Sequence, residues 1–206
     1  EEGQGDKITL SVESGITGGV PLGGIKFGGV INPQSILDQD VQFDLYNGGG
    51  LDATFLGLAQ CDEEGNINVS KFGPKIPGCG GFINISQSTK RIVFCGTFTA
   101  GGLKEKIEDG KLVILEEGRE KKFIKKVEQI TFSAKYANDT NQEVLYVTER
   151  CVFKLTKDGL LLIEIAPGVD LEKDILAHMD FKPIIADDLK LMDERIFKDA
   201  LMGLEL

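Results

Sequence analysis

Residues 10–24 read LSVESGITGGVPLGG. With the three residues before it, the run Lys7–Glu13 (KITLSVE) is rich in apolar and β-branched side chains, which predicts a strand that breaks at Ser14-Gly15. Paired glycines follow at 18–19, 23–24 and 28–29. The run alternates poorly, as a central strand buried on both faces does. In an open α/β sheet, the C-terminal end of such a strand borders the crevice where ligands bind. Glu13 would place a carboxylate there, and the glycines would remove side chains where a ligand needs room. A solvated edge charge followed by ordinary turns is the competing reading of the same residues, so a second motif has to decide.

The bulk properties narrow the field. A chain of 206 residues is expected to form a single domain (1–206) with its own core. Hydrophobic residues at 41% and charged residues at 27% place it among globular proteins. Its 26 glycines are well above the usual ~7% and often adjacent, which marks backbone that turns sharply or approaches something closely. The net charge of −10 argues against nucleic-acid and anionic-membrane partners. The four cysteines, Cys61, Cys79, Cys95 and Cys151, have neither metal-ligand nor redox-pair spacing, and His178 is the sole histidine. Metal sites and Ser-His or Cys-His nucleophiles therefore have little to draw on. A reducing, cytoplasmic setting is expected, with no membrane association. Asn-X-Ser/Thr matches at Asn68, Asn84 and Asn138 read as chance.

Further along, Asn32-Pro33 predicts a helix start running to Leu37, and VQFDLY (41–46) alternates like a strand stopped by Gly48-Gly49-Gly50. ATFLGLAQ (53–60) and NINVS (66–70) flank a hairpin turn at DEEG. The loop FGPKIPGCGGF precedes a helix in FINISQSTK, and RIVFCGTF (91–98) reads as a buried strand. Residues 104–134 read as a charged antiparallel meander. VLYVTERCVFKLTKDGLLLIEIA gives two or three strands with a turn at KDG. PGVDLEKDILAHM predicts a helix capped by Asp170, and helical segments are expected near 187–192 and 193–202. The mixture points to an α/β fold with antiparallel additions.

The second motif is PGCGGFINISQ, which sets Gly78, Gly80 and Gly81 ahead of a helix near Phe82. Free N–H groups there could hold a phosphate or the oxyanion of a tetrahedral intermediate. VESGITGGVPLGG, followed by FDLYNGGGLDATFLGLAQCDEEGNINVSKFGPKIPGCGGFINISQSTKRIVFCGTFTAGG, resembles the C-terminal (β) half of a family I CoA-transferase, most of all the acetate and propionate enzymes. The later run YVTERCVFKLTKDGLLLIEIAPGVDLEKDILAHMDF shares the resemblance, which spans essentially the whole chain. It implies a CoA-transferase (NagB/RpiA-like) fold, an open sheet flanked by helices with the meander as an insertion. It implies that Glu13 is the catalytic nucleophile that becomes a glutamyl-CoA thioester, and that Gly80 and Gly81 form the oxyanion hole. It assigns a looser CoA contact to Gly48, Gly49 and Gly50. Coenzyme A is then substrate and covalent intermediate, with no tightly bound cofactor and no metal. Partners are acyl-CoA, short-chain carboxylic acids, an N-terminal (α) half outside this chain, and further copies in a homo-oligomer.

Other readings stay open at this level: an acyl-CoA hydrolase on the same fold, a non-catalytic acyl-CoA-binding domain, and a sugar-phosphate isomerase, for which no motif is found. Lys71, Lys75, Lys90 and Arg91 bracket the GCGGF loop and could meet CoA phosphates, although a solvated loop is the simpler reading. REKKFIKKVEQ reads as a solvated face, Cys79 as a small filler, His178 as a hydrogen-bonded helix residue, and Glu149-Arg150 as a structural ion pair.

Overall fold

The structure, a computed structural model, describes residues 2–205. Its centre is a mixed sheet of six strands: β1 (Ala53–Gly57), β2 (Arg91–Cys95), β3 (Glu143–Val147), β4 (Cys151–Thr156), β5 (Gly159–Ile165) and β6 (Ile184–Leu191). Their order in space is β6-β5-β4-β3-β2-β1. Strands β1, β2 and β3 run parallel, β3–β4 and β4–β5 are antiparallel hairpins, and β6 returns parallel to β5. Three helices accompany them: α1 (Gln39–Asn47), α2 (Phe82–Ser88) and α3 (Ala134–Asp139). This is the α/β class with an open sheet that the sequence predicts.

Alternation along the strands builds the core. Ile92 and Phe94 of β2, Val144 and Tyr146 of β3, and Phe153 and Leu155 of β4 point to one face, where Phe82, Phe98, Phe123 and Phe132 meet them. Phe94 stacks on Phe82 at 5.6 Å and meets Phe132 edge-on at 4.9 Å. Truncating a ring here would cost about 3–5 kcal/mol. Over β4 and β5 the other face is closed by Leu112, Met192 and Phe197. Over β1 it is open, and Phe55 is 72% exposed.

Several local expectations are corrected. Residues 7–13 are no central strand. Only Ser11–Val12 is extended, in a small sheet with Ile16–Thr17 and Ser35–Ile36, while Ile8 and Leu10 are exposed. Among the described residues β1 pairs with β2 alone, so residues 7–10 do not join the free outer edge of the six-stranded sheet. The expected helix at 33–37 is replaced by a turn at Asn32 (φ +52°) and the extended Ser35–Ile36, which pairs with Ile16–Thr17. The expected strand at 41–46 is the helix α1. Its buried side chains are Gln42 and Tyr46, one helical turn apart, so the apparent alternation of Val41, Phe43 and Leu45 is incidental. Residues 187–192 fall largely in β6, whose pairing with β5 overrides their helical composition.

Other expectations hold in form. The Asp62–Gly65 turn joins Gln60–Cys61 to Ile67–Asn68, with the Asp62 carboxylate accepting from the N–H groups of Glu64 and Asn66. The 104–134 stretch keeps one clear hairpin, Lys104–Glu108 with Lys111–Glu116, and a short pairing of Glu120–Lys121 with Thr99–Ala100. Asp170 accepts from the Lys173 N–H at 2.8 Å and so caps the segment that follows. That segment is a π-helical turn, Leu171–Ile175, continued by a tight 3₁₀ turn, Leu176–His178.

Candidate active site

The Glu-x-Gly stretch is a chain reversal. Gly15 adopts φ +95° and donates its N–H to the Val12 carbonyl, which folds Ile16–Thr17 back onto Ser11–Val12. A Cβ on Gly15 would lie 2.1 Å from the Leu37 carbonyl oxygen, so only glycine fits. Glu13 therefore stands at the tip of a tight turn, half-buried. The Tyr46 hydroxyl donates to Ser11 Oγ at 3.0 Å and ties this turn to α1.

GCGGF lies at the approach to α2. Gly80 has φ +51°, the Phe82 N–H donates to the Cys79 carbonyl, and the Gly81 carbonyl accepts from the Ile85 N–H. Among the described residues neither the Gly80 nor the Gly81 N–H has a partner. A Cβ on Gly81 would stand 2.5 Å from Phe43 Cζ and 3.0 Å from the Glu13 carboxylate carbon. The structure thus brings Glu13 and the GCGGF motif to one point, 67 residues apart in sequence between Glu13 and Gly80. Together with Gln39, Asp40 and Phe43 they line an open cleft of about 390 Å³. Phe43 was hidden by the strand reading of 41–46, and Gln39 and Asp40 by falling between that reading and the one ending at Leu37.

Gly48, Gly49 and Gly50 sit elsewhere. They end α1 at its far terminus, and their N–H groups donate to the carbonyls of Asp44, Tyr46 and Leu45. The nine residues of α1 set them about 13 Å from the end that faces Glu13. A larger concavity of about 930 Å³ opens near the β4–β5 turn, lined by Lys135, Asp139, Lys157, Asp158 and Lys182 among others. It contains none of the expected site residues, and its mixed charges are those of a solvated groove.

A charged network occupies the loops that follow β2 and β3. Arg150 is fully buried, yet every side of its guanidinium is engaged. It donates to both carboxylate oxygens of Glu117 (2.8 and 3.1 Å), to Glu149 (2.6 Å) and to the Asp174 carbonyl (2.8 Å), and lies over the Phe98 ring at 4.8 Å. Burial would raise the Glu117 carboxyl, but hydrogen bonds from Arg150 and Thr99 and the Arg150 charge outweigh it and hold it at about 2. The expected Glu149–Arg150 pair is present at the β3–β4 turn. Its extension to Glu117 has no local sequence signal, since those residues are joined only by the fold. His178 Nε2 lies 3.4 Å from Glu117 in this network, so the lone imidazole is engaged there. Of the loop cations, Lys71 pairs with Glu128 and Arg91 with Glu143.

Burial pushes the Cys61 and Cys151 thiols up. Among the described residues no cluster of His, Cys, Asp and Glu could hold a metal, and no helix is long and apolar enough to cross a membrane.

The site is thus a half-buried carboxylate beside a glycine turn whose Gly80 and Gly81 N–H groups have no partner among the described residues. No family model matches the chain. The acetate CoA-transferase YdiF of Escherichia coli K12 is 57% identical over 206 residues, all of this chain and 39% of that protein. The caffeate CoA-transferase of Acetobacterium woodii is 53% identical over 210 residues, again the whole chain and 40% of the relative. The β subunit of a Haemophilus influenzae acetate CoA-transferase is 34% identical over 176 residues, 85% of this chain and 66% of that subunit. The crystal structure of the YdiF apoenzyme from Escherichia coli O157:H7 superposes with a TM-score of 0.94 at 55% identity, covering 100% of this chain and 39% of that one. A thioester complex of YdiF with CoA gives 0.93. The chain belongs to the family I CoA-transferases and corresponds to their C-terminal, β-subunit-like portion. It spans about two-fifths of the length of the long relatives it matches.

Proposed function

We propose that this chain supplies the nucleophile and the oxyanion donors of an enzyme that moves coenzyme A between a short-chain acyl-CoA and a free carboxylate. The observation that carries the reading is the 3.0 Å approach of the Glu13 carboxylate carbon to the Gly81 Cβ position, beside two unpartnered N–H groups. The names of the relatives support the reaction class, and the thioester complex of YdiF with CoA supports a thioester on the pathway.

A carboxylate nucleophile suits this chemistry because it keeps the energy of the thioester. A Glu13 oxygen attacks the acyl-CoA carbonyl, and the tetrahedral oxyanion is held by the Gly80 and Gly81 N–H groups. Collapse expels CoA thiolate and leaves an acyl-glutamyl anhydride. The thiolate then attacks the Glu13 carbonyl carbon, the free acid leaves as a carboxylate, and Glu13 carries CoA as a thioester. An acceptor carboxylate runs these steps in reverse, which is ping-pong catalysis. Every nucleophile and leaving group is an anion, so no proton moves and no general acid or base is required. This fits a cleft whose described lining holds no histidine or lysine.

Water must be excluded from the anhydride and thioester, and the cleft of this chain is open. We assign its closure to the N-terminal half, which docks on the apolar surface spread over residues 8–55. Ile25, Phe27 and Ile36 are 102%, 81% and 70% exposed there, well beyond what a solitary domain keeps in water. Acetate, propionate and similar acids are the proposed acceptors, in a cytoplasmic oligomer. The Gly48–Gly50 triplet would meet the CoA only away from its reacting end.

The test is intact mass of the complete transferase after acetyl-CoA and then mild borohydride, which reduces a glutamyl thioester to the alcohol. A mass loss mapped to the Glu13 peptide supports the reading. Acetyl-CoA bound but unchanged favours a binding domain, and acetyl-CoA consumed with no adduct favours a hydrolase.

A further inference from the structure

We propose that Phe43 sets the size of the acyl group the cleft accepts, as the wall against which its carbon chain lies. The inference rests on Glu13 being the nucleophile and adds a specificity determinant to that site.

The cleft is lined by Glu13, Gln39, Asp40, Phe43, Gly80 and Gly81. Two of these are acidic, one is an amide and two have no side chain. Phe43 is the one apolar side chain among the described lining residues. A carbonyl under attack must come within about 3–3.5 Å of a Glu13 oxygen. Its oxygen points to the Gly80 and Gly81 N–H groups and its sulfur toward the arm of CoA. The third substituent, the carbon chain, needs an apolar surface in the direction that remains. In this chain the Phe43 ring is what offers one.

The ring is also packed on two sides. Its tip closes over Gly81, where Cζ and Cε1 stand 2.5 and 2.8 Å from the position a Cβ would take. Its edge meets Tyr46, one turn on along α1, at 5.4 Å and 66°. Tyr46 is buried and bonded to Ser11 Oγ, two residues before Glu13. Wall and nucleophile thus share one scaffold, which sets their separation. A chain too long for the space between them meets the ring. A single methylene in such a pocket discriminates by about 10–200-fold.

The experiment uses the complete transferase with Phe43→Ala, Phe43→Leu and Phe43→Trp, and propionate as acceptor. kcat/KM is measured for acetyl-CoA, butyryl-CoA and hexanoyl-CoA. The hexanoyl-to-acetyl ratio should rise at least about tenfold in the alanine variant, rise less in the leucine variant and fall in the tryptophan variant. If the alanine variant does not fold, the leucine and tryptophan variants decide by moving in opposite directions. Ratios that stay at the parent value, or rates that drop equally for all three substrates, overturn the proposal. Borohydride reduction of the parent after acetyl-CoA is run alongside. An adduct at Glu13 with unmoved ratios overturns the role of Phe43 alone, whereas no adduct in the parent overturns the nucleophile on which it depends.

Discussion

The Glu13 carboxylate carbon lies 3.0 Å from the point where Gly81 would carry a Cβ, and Phe43 Cζ lies 2.5 Å from it on another side. Gly81 is at φ −80°, an ordinary backbone angle for any residue. Its glycine identity is therefore a matter of space and not of backbone strain. Gly81→Ala should leave the thermal midpoint of the complete protein within a few degrees of the parent, since Phe43 is only half-buried and can shift. Transfer should fall by about 10²–10³-fold, the effect of misplacing one oxyanion donor. Steady-state rates and a melting curve on one preparation check this, and parent-like turnover would sink the geometric argument.

Among the described residues Glu13 accepts no hydrogen bond and makes no ion pair, so replacing its carboxylate breaks no contact of the described fold. Glu13→Gln should abolish transfer and the borohydride-sensitive adduct while circular dichroism and the unfolding midpoint stay unchanged. Glu13→Asp retains the carboxylate but withdraws it by about one bond length, and a loss of about 10²-fold or more is expected from such a misplacement. Rates close to the parent's in the glutamine variant would remove Glu13 from the mechanism.

Glu13 and GCGGF were legible in the sequence as local motifs, their roles as nucleophile and oxyanion hole being part of the proposal. Their meeting follows from the Gly15 reversal and the approach to α2, which no single stretch encodes. The strand β2 and the β3–β4–β5 hairpins were equally legible, since alternation and the KDG turn agree with their tertiary setting. Residues 41–46 were misread because period-two alternation over six residues overlaps with helical spacing, and only the burial of Gln42 and Tyr46 separates them. Residues 7–10 read as a buried strand yet lie exposed, because strand propensity alone does not supply the packing partners that a buried strand needs. The partners of Arg150 lie 33 and 24 residues away in Glu117 and Asp174, distances over which sequence carries no pairing signal.

Arg150 is buried with its charge matched, so removing it strands Glu117 and Glu149 without their cation. Arg150→Ala should cost about 3–5 kcal/mol. For a domain of this size that is a fall of roughly 6–20 °C in the midpoint. Arg150→Lys cannot reproduce the forked contact with both oxygens of Glu117 and should recover only part of the loss. Thermal unfolding of both variants checks this, and an alanine variant melting with the parent would show that the network contributes nothing net.

Glu117 couples that network to pH. Its carboxyl is held at about 2 in the folded chain against an ordinary 4.5, so folding favours the ionised form. A depressed carboxyl contributes its stability above the unfolded value and loses it as pH falls toward the folded one. The contribution is therefore whole above pH about 4.5 and disappears between there and about 2. Glu117→Gln keeps the shape but cannot ionise, so its stability at neutral pH should be lower and its acid limb in that window shallower. Stability measured by denaturant titration at steps from pH 7 to pH 2 would reveal this as two curves that converge on the acid side. If parent and variant instead stay a constant distance apart down to pH 2, Glu117 is not the group whose protonation weakens the fold in acid.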